Sequence, residues 1–199
     1  MIDREIVLES DGVRLEPLQA HHLSAVARAG NDSALWEFTF GSNPFTNEAD
    51  AECWFRDATC APDTLCFAIL DKRTGEIAGA TRYLDIQPAH RKLEIGYTFL
   101  ARRFWRTHVN TECKYLLMRY AFETWGAQRV QLKGEAINLR SRAAMERIGA
   151  TYEGTLRAFR IKPESGAIRD TSFYSVIAPE WPAVKARLEG RIRDSRAAE

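Results

Sequence analysis

The sequence predicts a single domain of the mixed α/β class (α+β in the looser sense), with one sheet covered by helices on both faces. Strand-like and helix-like segments alternate along nearly the whole chain, and no repeat, low-complexity tract or linker interrupts them. The length of 199 residues suits one full-sized domain. Apolar faces of helices and sheets must be buried against each other, so this order favours a layered fold. We therefore take 1–199 as one domain.

The order of elements rests on apolar periodicity and on turn-forming residues between the periodic segments. About seven strands are predicted from alternating or continuous apolar runs, at Val13–Leu18, Leu65–Leu70, Ile77–Ile86, Leu93–Leu100, Arg129–Ala136, Thr151–Ile161 and Arg169–Ile177. Helices are predicted at Ala20–Ala29, Asn47–Thr59, Thr111–Gly126, Asn138–Ala150 and Pro179–Arg193. The last residues, 194–199, are expected to be a frayed tail.

Two helices carry apolar stripes at helical spacing and are expected to face the core. The stripe of the third helix consists of Cys113, Leu116, Leu117, Tyr120 and Ala121. That of the last helix consists of Trp181, Val184, Leu188 and Ile192. These residues are therefore assigned to packing, and function is sought at the helix ends.

Composition excludes several function classes. The formal net charge of +1 gives no overall field that would select nucleic acid or a membrane surface. No apolar run approaches the ~20 residues that span a bilayer, and the charged N-terminus has no signal-peptide core. The four cysteines form no CxxC pair and no zinc spacing, so we expect reduced, mostly buried thiols. The chain is predicted to be cytoplasmic and to bind no metal.

The segment from Leu93 to Gly149 has the chemistry to hold a phosphate. A strand, Leu93–Leu100, feeds a helix through the arginine-bearing connection Ala101–Asn110. The N-terminus of a helix offers unpaired N–H groups and a positive dipole end to an anion. Backbone N–H groups from His108 to Glu112 are predicted to form this nest. The arginines of the connection, Arg102, Arg103 and Arg106, add positive charge, and Arg106 is the favoured phosphate contact.

The order of elements and three segments, EIGYTFL, RTHVNTE and NLRSRAAMERIGA, resemble the GNAT superfamily of acyl-CoA-dependent N-acyltransferases. Within it the chain is similar to the RimJ/RimL-type branch, which includes N-acetyltransferases of ribosomal-protein N-termini. The more specific motif is N-x-x-S-x-x-A-x-x-x-x-G, formed by Asn138, Ser141, Ala144 and Gly149. The resemblance implies a mostly antiparallel central sheet with a splayed pair of central strands.

The phosphate loop departs from the family pattern Q/R-x-x-G-x-G/A. Aligned on Thr111 and Glu112, the three marked positions hold Trp105, His108 and Asn110. Glycine there permits positive φ and close approach of the backbone. Asn110 tolerates left-handed geometry or can cap a helix. The imidazole of His108 either donates to a phosphate or fills the space that glycine leaves open.

The resemblance implies that acetyl-CoA is the cosubstrate. Its pantetheine would bind Phe99 and Leu100 in the gap beside the bulged central strand. The remaining residues assigned to the cosubstrate are Arg106, Thr107, His108, Val109, Asn110 and Thr111 at the phosphates, and Asn138, Ser141 and Arg142 at the next helix. From the residues alone, Asn138 is also a plain N-cap and the basic loop a plain solvated rim.

Three residues are candidates for acid–base chemistry. Glu94 lies in the middle of the central strand and is either a general base or a salt-bridged glutamate. Ser141 and Tyr174 compete as the acid that protonates the leaving thiolate, and each also has an ordinary structural interpretation. Strict alternation divides the strand into two faces, Glu94, Gly96 and Thr98 against Ile95, Tyr97 and Phe99.

The acceptor is expected to be a primary amine, on a protein N-terminus or a small molecule, that attacks directly in a ternary complex. Aromatic residues before and in the second helix either shape the acceptor site or pack a helical cap on the sheet; they are Trp36, Phe38, Phe40, Phe45 and Trp54. The alternative is an acyl-CoA-binding sensor without transferase activity. A more remote alternative is nucleic-acid binding through RRFWR. No nucleic acid or membrane partner is expected, whereas dimers are common in the branch, so a homodimer is considered.

Overall fold

The computed structural model describes residues 2–39, 41–163 and 165–197. One eight-stranded sheet runs through the described chain, in the order β1-β2-β3-β4-β5-β6-β8-β7. The strands are β1 (Leu8–Glu9), β2 (Val13–Pro17), β3 (Leu65–Asp71), β4 (Glu76–Gln87), β5 (Lys92–Leu100), β6 (Arg129–Glu135), β7 (Thr151–Ile161) and β8 (Ile168–Ile177). The mixed, mostly antiparallel class predicted from the sequence is confirmed.

The helices are α1 (Leu23–Gly30), α2 (Glu48–Cys60), α3 (His108–Arg119), α4 (Leu139–Arg147) and α5 (Trp181–Ala197). Short 3-10 turns precede several of them, and α3 continues into one wider π turn at Tyr120–Thr124. Asn47 caps α2, since its side chain accepts a hydrogen bond from the backbone N–H of Asp50. The helix starts therefore follow the capping residues that the sequence supplies.

The central strands β5 and β6 form the only parallel pair of the described sheet. Their register contains just Lys92↔Arg129, Leu93↔Val130 and Glu94↔Gln131. Beyond Glu94 the two strands diverge, although β5 runs on to Leu100 and β6 to Glu135. The expected splayed pair is therefore present at the centre of the sheet.

Two apolar clusters lie on opposite faces of the sheet. The larger one packs α3, α4 and α5 against β5, β6 and β8, and it contains both stripes predicted from the sequence except Ile192, which is buried outside it. The smaller one packs α1 and α2 against β3 and β4. The sheet thus has helices on both faces, and any group that passes between β5 and β6 travels from one helical layer to the other.

Three sequence-based boundaries were wrong. The sheet has eight strands because β1, with only two residues, is too short to produce a periodic signal. Helix α3 begins at His108 rather than at Thr111, since the side chain of Thr107 already caps it. Helix α5 continues through Asp194 to Ala197, where a frayed tail was expected; residues 198 and 199 lie outside the described chain.

The alternation of β5 is interrupted at Tyr97. The register of β4 and β5 shifts between Ala80↔Phe99 and Arg82↔Gly96, and Tyr97 has φ of 47°. This bulge reverses the facing of the residues after it. Thr98 therefore faces Lys114 of α3, whereas the ring of Phe99 packs in the cluster on the other face. The predicted sharing of one face by Glu94 and Thr98 was wrong for this reason.

All four cysteines are free thiols, as expected. Only Cys66 and Cys113 are buried, however, whereas Cys53 and Cys60 on α2 are exposed. The expectation of mostly buried thiols was thus wrong for the two on α2. In the described chain no helix combines the length and the apolar character that a bilayer crossing requires.

Candidate active site

A cleft of about 890 Å³ passes through the sheet where β5 and β6 part. On one face it is lined by residues of α3 and α4, including Asn110, Lys114 and Ser141. On the other face it reaches Glu94 and the strands β6 and β8. A single opening therefore connects the helix N-termini on one side with polar residues of the sheet on the other.

The first turn of α3 borders this cleft with unpaired main-chain donors. The Thr107 side chain accepts from the N–H of Val109, which leaves the N–H groups of His108 and Asn110 without intrahelical acceptors. Arg106, just before the cap, has φ of 63°. The left-handed conformation that glycine favours is thus present, but one residue before the cap rather than at His108.

The His108 side chain points into the protein and not toward the cleft. Its Nε2 lies 3.0 Å from Oδ1 of Asp71, and both side chains are buried. One turn later, Glu112 Oε2 accepts from the hydroxyl of Ser10 at 2.5 Å and from the N–H of Gly12 at 3.1 Å. Of the two predicted roles for the imidazole, filling the interior is the one observed. These contacts fix the start of α3 to the β1–β2 turn and to β3.

The other residues predicted around the phosphates divide between the cleft and its surroundings. Arg106 and Asn110 line the cleft. Val109 is fully buried in the core, so only its backbone belongs to the helix start. Thr107 and Thr111 line a smaller cavity between α3 and α5. At this helix start, the main chain therefore offers more hydrogen-bond donors to the cleft than the side chains do.

Only one of the three loop arginines faces the cleft. Arg102 is paired with Asp32, and Arg103 with Glu76 at 3.0 Å. Arg106 remains at the rim. The sequence reading missed Arg140 of α4, which lies over the Trp105 ring with Cζ 3.9 Å from its centroid and also lines the cleft. The rim therefore carries a guanidinium from each side.

Helix α4 places Ser141 at the cleft through local sequence alone. Asn138 caps the helix, since its Oδ1 accepts from the Ser141 N–H at 3.0 Å. The Ser141 hydroxyl lies against Gly134 of β6, where an added Cβ would be 3.2 Å from Oγ. Both Asn138 and Ser141 line the cleft. The N-cap role of Asn138 is therefore observed, and the hydroxyl it positions faces the opening.

Arg142 and Tyr174 lie outside the cleft. The Tyr174 hydroxyl donates to Glu146 at 2.9 Å and accepts from Nε of Arg142 at 3.1 Å. The Arg142 guanidinium also donates to the Ala136 carbonyl at 3.3 Å. Neither residue lines the opening. Their contacts join α4 to β8, which places the phenol and this guanidinium away from the positions predicted for them.

Glu94 lies in the cleft wall at the point where β5 and β6 separate. Its Oε2 accepts from Gln131 at 3.0 Å and pairs with Lys133 Nζ at 2.7 Å. Its Oε1 lies beside Gly96, where an added Cβ would be 3.1 Å away. The residue is thus salt-bridged, as one of the two interpretations required, and it also lines the cleft.

A buried lysine is the second residue that sequence reasoning missed. Lys114 is 6% exposed, and its Nζ donates to Oγ1 of Thr98 at 2.7 Å. Burial lowers the pKa of its ammonium group. It lines the cleft on the α3 face. The sequence did contain a signal for Lys114: it lies four residues after Asn110, and residues at this spacing share one side of a helix.

The early aromatic residues form one cluster around Phe99. Trp36, Phe45 and Trp54 each lie with ring centroids 5.3 to 6.1 Å from that of Phe99. Phe38 instead lines the cleft together with Leu35 and Thr39. The cluster thus packs the helical cap on the sheet, and the segment beside it reaches the opening. Phe40 lies outside the described residues.

One group of side chains has the spacing of metal ligands. Ligand atoms of Glu16, His21 and His22 lie within 4.8 Å of one another. Both ring nitrogens of His22 already have protein partners, Glu16 at 3.1 Å and the N–H of Gln19 at 3.1 Å. The group is therefore explained by hydrogen bonding within the described chain.

Comparison with known proteins agrees with this architecture. Residues 13–151 match the family described as "Acetyltransferase (GNAT) domain". The Bacillus subtilis (strain 168) protein named "Putative ribosomal N-acetyltransferase YdaF" is 32% identical over 111 residues, which cover 56% of this chain and 59% of that protein. The chain thus spans less than two thirds of the length of this curated relative.

Solved structures align over more of the chain. A GCN5-related N-acetyltransferase from Brucella melitensis is 32% identical with a TM-score of 0.89, covering 94% of this chain and 86% of that one. A T. thermophilus structure described as "putative acetyltransferase" is 41% identical with a TM-score of 0.87, covering 96% of this chain and 99% of that one. The resemblance noted in the sequence is confirmed, and the chain belongs to the GNAT acetyltransferase family.

Proposed function

We propose that this GNAT family member transfers the acetyl group of acetyl-CoA to a primary amine, on a protein N-terminus or a small molecule. The observation that carries the proposal is the gap between β5 and β6, which crosses the sheet beside the start of α3. A donor and an acceptor can enter such an opening from opposite faces. Similarity to the B. subtilis relative is consistent with the RimJ/RimL-type branch.

The residues at the α3–α4 face fit a coenzyme A donor. The N–H groups of His108 and Asn110 would donate to the diphosphate, and Arg106 and Arg140 would flank it. The unpaired edges of β5 and β6 beyond Glu94 would bond the amides of pantetheine, with Phe99 and Leu100 on one side. When bound, this cosubstrate supplies an activated thioester.

Two side chains on opposite faces of the gap would handle protons. Glu94 would accept the proton of the acceptor ammonium, directly or through water, because its Oε1 lies beside Gly96 in the cleft. Ser141 would donate to the departing sulfur, since Asn138 holds its backbone and its hydroxyl lines the cleft. Positioning of the two reactants would supply most of the rate.

An α-amine is favoured over a lysine amine as the acceptor. A free α-amine has a pKa near ~8, whereas that of lysine is near ~10.4. Glu94 is already paired with Lys133, so it is only partly available to accept a proton. The α-amine loses its proton more easily, so it needs less assistance from a general base of the protein.

The test is amine-dependent release of the CoA thiol. Purified protein is incubated with acetyl-CoA and a panel of peptides with free N-termini and small amines, and the products are identified by mass spectrometry. The same peptides with blocked N-termini are the matched control. We expect thiol release that requires a free amine and yields singly acetylated product. Tight binding of acetyl-CoA without turnover on any amine would instead support the sensor alternative and contradict the proposal.

A further inference from the structure

The face of the cleft opposite α3 and α4 contains two buried hydrogen-bond donors that no described residue satisfies. They are Nε of Arg169 and Oγ1 of Thr171, both on β8. Thr171 is 2% exposed, yet its side chain lines the cleft. Buried polar groups in proteins are almost always hydrogen-bonded, so a pair of this kind in a cavity indicates a missing partner.

The two donors point the same way. They are two positions apart on one strand, with only Asp170 between them, so their side chains share one face of the sheet. Thr171 lies opposite Glu135 of β6 in the register, and both residues belong to the face that carries Glu94 and Lys133. The donors therefore lie on the side of the gap that we assign to the acceptor.

The charges around the donors favour an anion. Each acid of this face has a lysine partner, since Glu135 pairs with Lys162 at 3.0 Å and Glu94 with Lys133 at 2.7 Å. Arg169 also interacts electrostatically with Glu135, so three cations, Lys133, Lys162 and Arg169, face two acids and leave an excess of one positive charge. Burial lowers the pKa of its guanidinium, but arginine remains protonated in proteins. A guanidinium N–H beside a hydroxyl is a good match for one carboxylate.

We propose that the amine acceptor carries a carboxylate, which Arg169 and Thr171 bind while the amine lies near Glu94. The inference rests on the proposed acetyl transfer and adds the class of acceptor. The amine is placed near Glu94, which contacts Lys133, and the carboxylate near Thr171, which lies opposite Glu135. Lys133 and Glu135 are two positions apart on β6, which corresponds to about 7 Å between amine and carboxylate. The ring of Phe159, which packs 5.2 Å from that of Phe173, lines the cleft on this face.

A free amino acid and an acidic peptide N-terminus share this chemistry, and paired probes separate them. The first pair is 5-aminopentanoate and its amide, 5-aminopentanamide. The second pair is two peptide amides, Ser-Glu-Ala-Ala and Ser-Gln-Ala-Ala. In each pair only the carboxylate differs. For at least one pair, we expect the acidic member to have a lower KM, by about ten-fold, since bonds to charged groups contribute more than neutral ones.

The variants are Arg169→Met and Thr171→Val, with Arg157→Met as the matched control. Arg157 is an exposed arginine of β7 that does not line the cleft. We expect both site variants to reduce the preference for the acidic probe to within about three-fold, mainly through KM, and the control variant to keep it. Equal KM values for acid and amide in the wild type, in both pairs, would overturn the inference while leaving acetyl transfer intact.

Binding of the same probes is also measured by ligand-observed NMR on protein saturated with CoA. This readout needs no turnover, so it separates the inference from the proposed function. Binding of an acidic probe that is lost in both site variants supports the carboxylate site even if no acetylation occurs. No difference between acid and amide in either pair, in both binding and turnover, would contradict it. Thr171→Val replaces one hydroxyl with a methyl group of similar size, so misfolding of the arginine variant would not obscure the result.

Discussion

At the scale of single residues, the hydroxyl of Ser141 is the group that we propose donates a proton to the departing sulfur. The backbone N–H of Ser141 donates to Oδ1 of Asn138 at 3.0 Å, and its side chain packs against Gly134. We expect Ser141→Ala to lower kcat by about 100-fold, the usual contribution of a positioned acid, with little change in the KM for acetyl-CoA. Steady-state kinetics measure both, and Ser172→Ala on β8 is a serine control outside the cleft. An unchanged kcat would remove Ser141 from the mechanism.

The buried Lys114 leads to a prediction about how the free energy of unfolding depends on pH. Burial lowers the pKa of its ammonium, so between that lowered value and the ordinary ~10.4 the unfolded chain binds more protons than the folded one. The contribution of Lys114 to stability therefore rises with pH across this window. We expect the stability difference between wild type and Lys114→Met to shift in favour of wild type as the pH increases.

Urea unfolding at a series of pH values from about 7 to about 10 measures this difference. Comparing wild type with the variant cancels the titration of other groups, including the buried Tyr83, whose pKa is raised by burial. A difference that stays constant with pH would show that the Lys114 amine is not perturbed in the folded protein.

At the scale of elements, the start of α3 is held by polar contacts rather than by glycines. Glu112 and His108 are four residues apart, so they share the side of the helix that faces Gly12 and Asp71. A Cβ on Gly12 would lie 2.7 Å from Glu112 Oε1 and 2.9 Å from His108 Cδ2. The turn between β1 and β2 therefore sets the position of the proposed diphosphate nest.

We expect Gly12→Ala to destabilise the protein by about 1–3 kcal/mol, the usual cost of overpacking, and to weaken acetyl-CoA binding. Thermal unfolding and calorimetric titration measure the two effects. Gly190→Ala on α5 is the control, since the nearest atom to its added Cβ is 3.8 Å away; helix propensity predicts a small gain there. Wild-type stability and affinity in Gly12→Ala would show that this contact does not position α3.

The elements also show what a sequence can and cannot predict. The capping of α4 by Asn138 could be predicted from the sequence, because the cap and the helix are adjacent in the chain. The bulge at Tyr97 reversed the facing of Thr98, and no local residue signals where such an extra residue falls. The start of α3 was misplaced although its cap, Thr107, is adjacent in the chain; the contact of His108 with Asp71 could not be predicted, because Asp71 is distant in sequence.

At the scale of the whole molecule, the cleft depends on contacts between distant segments. The order of strands and the family motifs made the sheet and its splayed centre predictable. The proposed acceptor side was not predictable, because β6 and β8 bring Lys133 and Thr171 to one face only after the chain has folded. The mutual contact of Tyr174 and Arg142, neither of which lines the cleft, likewise forms only once β8 and α4 have come together.

The central claim is that main-chain donors at the start of α3 and the gap between β5 and β6 together hold an acyl-CoA. A crystal structure of the protein with CoA bound tests it most directly. We predict diphosphate oxygens within about 3 Å of the N–H groups of His108 and Asn110, with pantetheine running between β5 and β6. A coenzyme bound elsewhere, with the first turn of α3 facing only solvent, would contradict the account.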